Sequence, residues 1–240
     1  MKAPHLPPWL SPLLACPRCR TRLPTEGASQ CPACHRHFPV ARGFLDLRGG
    51  RERPHLWALN RLPPVAQLYD LWRMRSTGLL SRGRLSFGEE LALLRDWLLP
   101  AGPPFLDVGT GTGLYRAALG DEAIGVDPSP AFLEVARRRR PGPYLLAHGE
   151  ALPFRSASLG GVAVGPTWNE FYDPVRALGE ARRVLRWRGR LFGMLLLGPG
   201  PSLGLWRPES QAFLALVREQ GFLAELRVLG ALGLLLAEAR

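Results

Sequence analysis

The sequence predicts an α/β protein with a Rossmann-like, doubly wound sheet, preceded by a small four-cysteine module of the zinc-ribbon type. From residue 104 onward, short apolar strand patterns alternate with helix patterns, which is typical of a mostly parallel sheet covered by helices. The last two strand patterns, at 222–229 and 231–239, are joined by a very short turn. Because parallel neighbours need a long crossover, the last strand is expected to be antiparallel. All four cysteines precede this region, between residues 16 and 34.

Charge, composition and periodicity divide the chain into a basic N-terminal part, called the front, and a nearly neutral remainder. Residues 1–88 hold 14 basic and 4 acidic residues, whereas residues 89–240 hold 17 and 16. The front is irregular and rich in proline and arginine, and the remainder is periodic. This change predicts a zinc-binding module at 1–50, a linker and a lid helix at 51–85, and the α/β domain at 86–240.

The sequence contains no run of about 18 uninterrupted apolar residues, the length that a membrane span needs. Its N-terminal stretch, MKAPHLPPWLSPLLAC, is interrupted by four prolines and lacks the continuous apolar core of a secretory signal. These two features predict a cytoplasmic protein without a membrane span.

The cysteines form two C-x-x-C pairs separated by eleven residues: Cys16, Cys19, Cys31 and Cys34. Two such pairs form knuckle turns that together supply the four tetrahedral thiolates that zinc prefers. Four protein ligands leave no open coordination position, so we expect a structural Zn²⁺ rather than a catalytic one. Two disulfides are the alternative, and the predicted reducing compartment disfavours them. His35 and His37 lie beside the second pair and are alternative ligands.

Residues 13–47, LLACPRCRTRLPTEGASQCPACHRHFPVARGFLDL, resemble the small zinc-binding activator protein that partners several tRNA and translation-factor methyltransferases. The resemblance rests on the leucine pair before the first knuckle and on four matches after the second, at Phe38, Pro39, Val40 and Gly43. The pattern also overlaps the zinc modules of certain ribosomal-RNA guanine methyltransferases. With the basic charge of this region, the resemblance makes RNA a candidate partner.

The segment 65–74 has helical apolar spacing at Leu68, Leu71 and Trp72. Leu68, Tyr69 and Trp72 either form a lid over a pocket or pack into the core. Core packing is the commoner use of such a stripe, and we favour it for this helix.

The stretch LDVGTGTG, residues 106–113, places three glycines behind a strand that ends in Asp107. A dinucleotide-binding fingerprint would need a glycine where the chain has Leu114. A carboxylate at the strand end is unfavourable beside a pyrophosphate but favourable beside a cofactor that carries an ammonium and a sulfonium. The next strand ends in Asp127, where an acid can accept hydrogen bonds from ribose hydroxyls. These features predict S-adenosylmethionine as the cofactor.

The same region resembles class I methyltransferases, in particular the group that includes quinone-biosynthesis enzymes. The resemblance rests on LDVGTGTG, GVDPSPAFLEVAR, GEALPF and DPVRALGEARRVLRWRGRLF. It departs from the family at His148, where an acid usually binds the adenine amino group, and at Trp187 and Arg188, which replace the usual turn. The glycines, the two acids and the resemblance together predict the cofactor-binding residues Asp107, Gly109, Thr110, Gly111, Gly113, Asp127, Pro128, His148, Gly149 and Glu150.

The segment after the fourth strand of the domain, GPTWNEFYDP, is expected to line the acceptor pocket. Trp168 is a candidate for stacking on a planar acceptor, and Asn169, Glu170 and Tyr172 are candidates for hydrogen bonds, although each has an equally plausible structural role. No cysteine lies outside the zinc site, which excludes carbon-5 methylation of pyrimidines through a covalent thiolate.

Three functional hypotheses remain. The first is a methyltransferase that acts on RNA or a translation component and recognises this substrate through the zinc module. The basic charge of residues 1–88 favours it. The second is a small-molecule methyltransferase of the quinone type, in which the zinc module is structural. The third is a non-catalytic RNA- or partner-binding protein on the same fold. The four consecutive arginines at 137–140 are better explained as a solvated helix end than as an RNA contact.

Overall fold

The computed structural model describes residues 6–24, 29–49, 62–200 and 204–240. The first part of the linker and lid segment predicted at 51–85, up to residue 61, lies outside these ranges. The cysteine module contains a short antiparallel hairpin, β1 (Val40–Ala41) and β2 (Phe44–Leu45). The main sheet has seven strands: β3 (Phe105–Val108), β4 (Ala123–Asp127), β5 (Tyr144–Leu146), β6 (Leu159–Val164), β7 (Leu185–Leu196), β8 (Phe222–Leu229) and β9 (Leu232–Ala239).

The strand order in the main sheet is β5-β4-β3-β6-β7-β9-β8. The five strands from β3 to β7 are parallel to one another, while β9 is antiparallel to both β7 and β8. The predicted doubly wound sheet with an antiparallel last strand is therefore confirmed. Because the chain turns from the β3 side to the β6 side at the middle of this order, the loops after β3 and β6 face one crevice.

Within the described ranges, six helices accompany the sheet: α1 (Pro63–Leu80), α2 (Phe87–Leu98), α3 (Leu114–Leu119), α4 (Pro130–Arg139), α5 (Pro174–Val184) and α6 (Ser210–Glu219). Four of them, α2, α4, α5 and α6, are capped at the N-terminus by a local side chain. At α2, Ser86 Oγ accepts from the Glu89 amide at 3.2 Å, and the Glu89 carboxylate accepts from the Ser86 amide at 2.8 Å. At α5, the Asp173 carboxylate accepts from the Arg176 amide at 3.0 Å. These caps satisfy amides that have no partner within the helix.

The cysteine module packs on the main sheet and shares its hydrophobic core. Leu14 pairs with Phe154 in an antiparallel bridge, and Asp46 pairs with Leu146 of β5 in a parallel bridge. The amide of Leu47 donates to the Leu146 carbonyl at 2.8 Å, so the segment after β2 continues the sheet beyond its β5 edge. The buried side chains of the module and of the sheet form one cluster. The module is thus held by backbone pairing and by apolar burial.

The stripe of α1 does not pack into the core as the sequence suggested. Leu68, Leu71 and Trp72 are all more than half exposed. Tyr69 turns inward instead and meets the ring of Phe132 edge-on, with 5.2 Å between the ring centroids. The buried face of α1 is polar, because Arg73 and Thr77 bind the buried carboxylate of Glu90 there. The apolar side chains are therefore left outside.

Trp187 and Arg188 lie at the start of β7. Trp187 is 71% exposed, and Arg188 adopts a left-handed conformation with φ of 60°. The guanidinium of Arg188 lies 3.6 Å from the Glu238 carboxylate on β9.

Candidate zinc centre and cofactor site

The four cysteine sulfurs converge on one point, all lying within 4.8 Å of one another. The Sγ atoms of Cys16 and Cys34 are 3.6 Å apart, and those of Cys19 and Cys31 are 3.4 Å apart. Sulfurs that surround one zinc ion tetrahedrally would be about 3.8 Å apart. The set therefore fits a Zn²⁺ bound by four thiolates.

Both knuckle turns have the same backbone geometry. Arg20 and His35, which follow the second cysteine of each pair, are left-handed, with φ of 67° and 55°. Their amides donate to the carbonyls of Cys16 and Cys31 at 2.9 and 3.1 Å. His35 and His37 are exposed and are not part of the sulfur cluster. The four-thiolate site is consequently complete without a histidine.

Asp107 is buried at the carboxyl end of β3. Its Oδ2 accepts from Thr110 Oγ1 at 2.5 Å and from the Arg116 amide at 3.0 Å. Its other oxygen accepts no hydrogen bond from the residues that the structure describes. Burial raises the pKa of Asp107 to about 6. A neighbouring ammonium group would stabilise the carboxylate and satisfy the free oxygen.

Asp127 is buried at the carboxyl end of the neighbouring strand, β4. Its two oxygens accept from the amides of Gly111 at 2.9 Å and Ser129 at 2.8 Å. Burial, together with the negative charges of Glu170 and Asp107, raises the pKa of Asp127 to about 7. Each carboxylate oxygen has a second lone pair, so the group can still accept from a pair of hydroxyls.

The glycine loop between these acids has a backbone that favours glycine. Gly109, Gly111 and Gly113 have φ of 64°, 54° and 84°. A Cβ on Gly109 would overlap the Thr167 side chain, which comes from the loop after β6. The two loops therefore approach too closely for a side chain at Gly109.

Two recesses open along this loop, with Tyr69 of α1 lining both. The first recess is lined by Asp107, Thr110 and Arg73, together with Gly109, Leu114, Tyr115, Gly165 and Pro166. The second is lined by Asp127, Pro128 and Glu170, together with Gly109, Gly111, Phe132 and Thr167. The first presents a carboxylate and a guanidinium, as an amino-acid head group requires, and the second presents the acid suited to a ribose. These residues fit S-adenosylmethionine.

The sequence analysis named Tyr69 but not Arg73, because the apolar stripe dominated the pattern of α1. Arg73 is buried, pairs with the Glu90 carboxylate and donates to the Tyr115 hydroxyl at 3.0 Å. Thr77 donates to the same carboxylate at 2.5 Å. The partners come from α2 and α3, which no local pattern could reveal.

The segment 148–150 follows β5 at the same end of the sheet. His148 and Glu150 are buried, and the Glu150 carboxylate accepts from the amides of Tyr172 at 2.9 Å and Asp173 at 3.4 Å. Burial raises the pKa of Glu150. A Cβ on Gly149 would overlap the ring of Phe171. Glu150 thus holds the loop that carries the acceptor candidates, and a cofactor contact at 148–150 stays a prediction.

The four acceptor candidates have different surroundings. Trp168 is fully buried and meets the rings of Phe171 and Phe213 edge-on, at 5.4 and 6.0 Å. Asn169 Nδ2 donates to the carbonyls of Leu196 and Trp206 at 2.9 and 2.6 Å. Its side-chain amide therefore links the backbone at these two residues. Glu170 lines the second recess, and Tyr172 is half exposed.

The cysteine module contacts both sides of the cofactor site. Arg48 donates to the carbonyl of Pro128, the residue after Asp127, at 3.3 Å. Arg20 donates to the Leu152 carbonyl at 3.1 Å and to the Glu180 carboxylate at 2.8 Å. Glu180 in turn accepts from the Leu152 amide at 2.8 Å. The module therefore supports the loops after β4 and β5.

Three of the four arginines at 137–140 have partners within the chain. Arg139 and Arg140 lie 3.0 and 2.8 Å from the carboxylate of Asp70 on α1. Arg137 stacks over the ring of Phe44 in the module, 4.4 Å from its centroid. The end of α4 thus fastens the lid helix on one side and the module on the other.

Both parts of the chain have relatives among known proteins. Residues 106–193 match the family described as methyltransferase domain, and residues 8–43 match the family described as Trm112p-like protein. An uncharacterized methyltransferase of Mycobacterium tuberculosis is 40% identical over 121 residues, which cover 48% of this chain and 48% of that relative. A demethylmenaquinone methyltransferase of Thermotoga maritima is 33% identical over 159 residues, covering 63% of this chain and 66% of the relative.

Two solved structures share the fold. An S-adenosylmethionine-dependent methyltransferase of Thermotoga maritima aligns with a TM-score of 0.60 at 22% identity, over 78% of this chain and 100% of its own. The complex of the Haloferax volcanii Trm112 methyltransferase activator with a methyltransferase aligns with a TM-score of 0.60 at 17% identity, over 80% of this chain and 99% of that one. The chain spans about half the length of the first curated relatives it matches. It joins a Trm112p-like zinc module to a class I S-adenosylmethionine-dependent methyltransferase domain.

Proposed function

We propose that the protein transfers a methyl group from S-adenosylmethionine to a small apolar acceptor, with the zinc module as a structural support of the cofactor site. The observation that carries this proposal is the pair of buried carboxylates, Asp107 and Asp127, at the ends of adjacent parallel strands and in adjoining recesses. One suits an ammonium group and the other a ribose.

Two residues of the first recess bind different parts of the cofactor's amino-acid head group. Asp107 offers its unpaired oxygen to the ammonium, and Arg73 offers positive charge to the carboxylate. Arg73 is held in place by Glu90 and Tyr115, so its guanidinium is oriented before the cofactor arrives. Such pre-orientation lowers the entropy lost on binding.

The bound cofactor supplies an electrophilic methyl group on a sulfonium. The protein has to align the acceptor with that methyl group and exclude water. Tyr69 lines both recesses, and Glu170 is the acceptor candidate that lines one of them. We assign Glu170 the role of accepting a hydrogen bond from the hydroxyl or amine of the acceptor.

A small acceptor is favoured because much of the basic charge of the module is used within the chain. Arg20 pairs with Glu180, Arg42 with Glu134, and Arg48 with Asp46. Arginines held in this way are less available to a polyanion. The relative named demethylmenaquinone methyltransferase points toward the same class of acceptor.

RNA remains the second candidate, because Arg18 and Arg22 on the first knuckle are exposed. An exposed pair of arginines next to a zinc knuckle can contact phosphate and stack on bases.

The test is transfer of labelled methyl groups by the full-length protein. Two acceptor pools are offered, total RNA and an apolar lipid extract that contains hydroxylated quinols. The proposal expects label in the lipid fraction, lost with Asp127→Ala and kept with Asp121→Asn, an exposed acid just before β4. Label in RNA would select the second candidate. Cofactor binding without transfer to either pool would favour the non-catalytic hypothesis.

A further inference from the structure

The outer face of α1, made of Leu68, Leu71, Trp72 and Leu79, has no partner among the residues that the structure describes. Leu68 is 62% exposed, Trp72 58% and Leu79 68%. Spacings of three, four, seven and eleven residues place these side chains on one side of the helix. A surface helix normally turns such a stripe toward the core. The orientation of α1 about its own axis is the reverse, with the apolar stripe facing outward.

The inversion is fixed by the opposite side of α1. Arg73 and Thr77 bind the buried carboxylate of Glu90, and Asp70 binds Arg139 and Arg140 of α4. Rolling the helix to bury its leucines would break these ion pairs and leave the buried Glu90 carboxylate without its guanidinium partner, which is costly. The apolar face therefore stays outside.

The charges near this face are basic. Arg75 lies within the stripe, and Arg82 and Arg84 follow the helix; all three are exposed. Asp70 is the only acid between residues 63 and 84, and its carboxylate is already bound by Arg139 and Arg140. An apolar stripe with a tryptophan, flanked by arginines and free of unpaired acid, complements an anionic lipid surface.

The dimensions agree with a helix that lies in the membrane interface. Eighteen residues give α1 a length of about 27 Å. Among the described residues, no helix is long and apolar enough to cross a bilayer. Contact would therefore be made by one face, with the leucines and Trp72 entering the region between headgroups and acyl chains.

We propose that the outer face of α1 docks on an anionic membrane surface and brings the cofactor recesses to that surface. Tyr69 follows Leu68 in the chain, lies about 100° around the helix from it, and lines both recesses. An apolar acceptor dissolved in the bilayer would then have a short path beneath the helix. This inference rests on the proposed function and extends it to the source of the acceptor.

The test is flotation of the full-length protein with lipid vesicles. One set contains equal parts phosphatidylglycerol and phosphatidylcholine, and the other contains phosphatidylcholine alone. We expect the wild type to float with the anionic vesicles and to be partly released by added salt. The double variant Leu68→Gln, Trp72→Gln should bind these vesicles about tenfold more weakly or worse.

The matched control is Leu223→Gln, Trp187→Gln, which removes one exposed leucine and one exposed tryptophan from β8 and β7. It should float like the wild type. Equal loss in both double variants, or no flotation of the wild type, would overturn the proposal. So would a wild-type dimer in sedimentation that the α1 variant converts to a monomer, because a second copy would then occupy the face.

Calorimetry of cofactor binding separates this inference from the proposed function. The α1 variant should bind S-adenosylmethionine like the wild type, because neither substituted side chain lines a recess. Normal cofactor binding without flotation defeats membrane docking alone. A wild-type protein that floats but does not bind the cofactor defeats the proposed function.

Discussion

The guanidinium of Arg20, on the first zinc knuckle, lies 2.8 Å from the buried carboxylate of Glu180 on α5. Glu180 also binds the amide of Leu152, just after the segment 148–150. A residue positioned by zinc is thus two hydrogen bonds away from a predicted adenine-binding loop. The connection allows the metal to influence the cofactor site.

Replacing this arginine with Arg20→Met should lower the free energy of unfolding by about 1 kcal/mol. The value is modest because the Arg20 side chain is one third exposed and Arg183 still pairs with Glu180. Chemical denaturation measures the effect, and Arg22→Met, on the exposed side of the knuckle, is the control. An identical effect of the two variants would rule out the pairing as its source.

Zinc should be present at about one equivalent per chain and should be needed for full stability. Removing it breaks the four metal–sulfur bonds that hold the two knuckles together and loosens the cluster that the module shares with the sheet. Elemental analysis should show the loss of metal in Cys31→Ser, and thermal unfolding should show a lower Tm. A folded, fully stable protein after chelation would contradict the structural role.

Asp127→Ala should weaken binding of S-adenosylmethionine by about 1.5–3 kcal/mol, the range for a hydrogen bond to a charged group. Asp121→Asn should bind normally. Isothermal titration calorimetry measures both, and unchanged affinity in Asp127→Ala would remove this residue from the cofactor site.

Without cofactor, stability should fall as the pH rises toward neutrality. Burial raises the pKa of Asp107 to about 6 and of Asp127 to about 7, both from an ordinary value of 3.8. The folded state therefore keeps protons that the unfolded state releases, so this stabilisation is complete below about pH 4 and is lost as the pH passes 7. Denaturation across this range should show the decline, and Asp127→Asn should flatten it.

Cofactor affinity should follow the opposite trend, because the carboxylate forms bind the ammonium and the ribose. Between pH 6 and 7 we expect affinity to rise by up to about tenfold per titrating carboxyl. Calorimetry in buffers of different ionisation enthalpy should reveal proton release on binding. A flat profile would mean that both acids are already ionised in the free protein.

Asp70→Asn should loosen α1 from α4, since the carboxylate binds two arginines and Thr112. Hydrogen exchange of the α1 amides should accelerate while that of α2 stays unchanged. Uniform acceleration in both helices would indicate general destabilisation instead.

Much of the domain could be predicted because its determinants are local. The strand β6 is a buried apolar run, as a parallel strand covered on both faces requires. Asp127 ends β4, and Asp107 is the next-to-last residue of β3. The paired cysteines likewise point to their common site by spacing alone.

The contacts that could not be predicted join residues far apart in the sequence. Arg20 and Glu180 are 160 residues apart, and Arg73 and Tyr115 are 42 apart. The orientation of α1 depends on such partners, because its apolar stripe alone favours burial. Trp168 is a second example. From the sequence, an aromatic residue in a loop is equally consistent with a pocket wall and with the core, and only its contacts with Phe171 and Phe213 decide between them.

The pairing of Leu14 with Phe154 and of Asp46 with Leu146 joins the cysteine module to the main sheet within one polypeptide. Their association is therefore unimolecular, and its strength depends on the effective concentration set by the connecting segment rather than on the amount of protein in solution. Dilution cannot separate the module from the domain, and the ratio of the two is fixed at one to one by translation. Any support that the module gives the cofactor site is consequently constant, whatever the abundance of the protein.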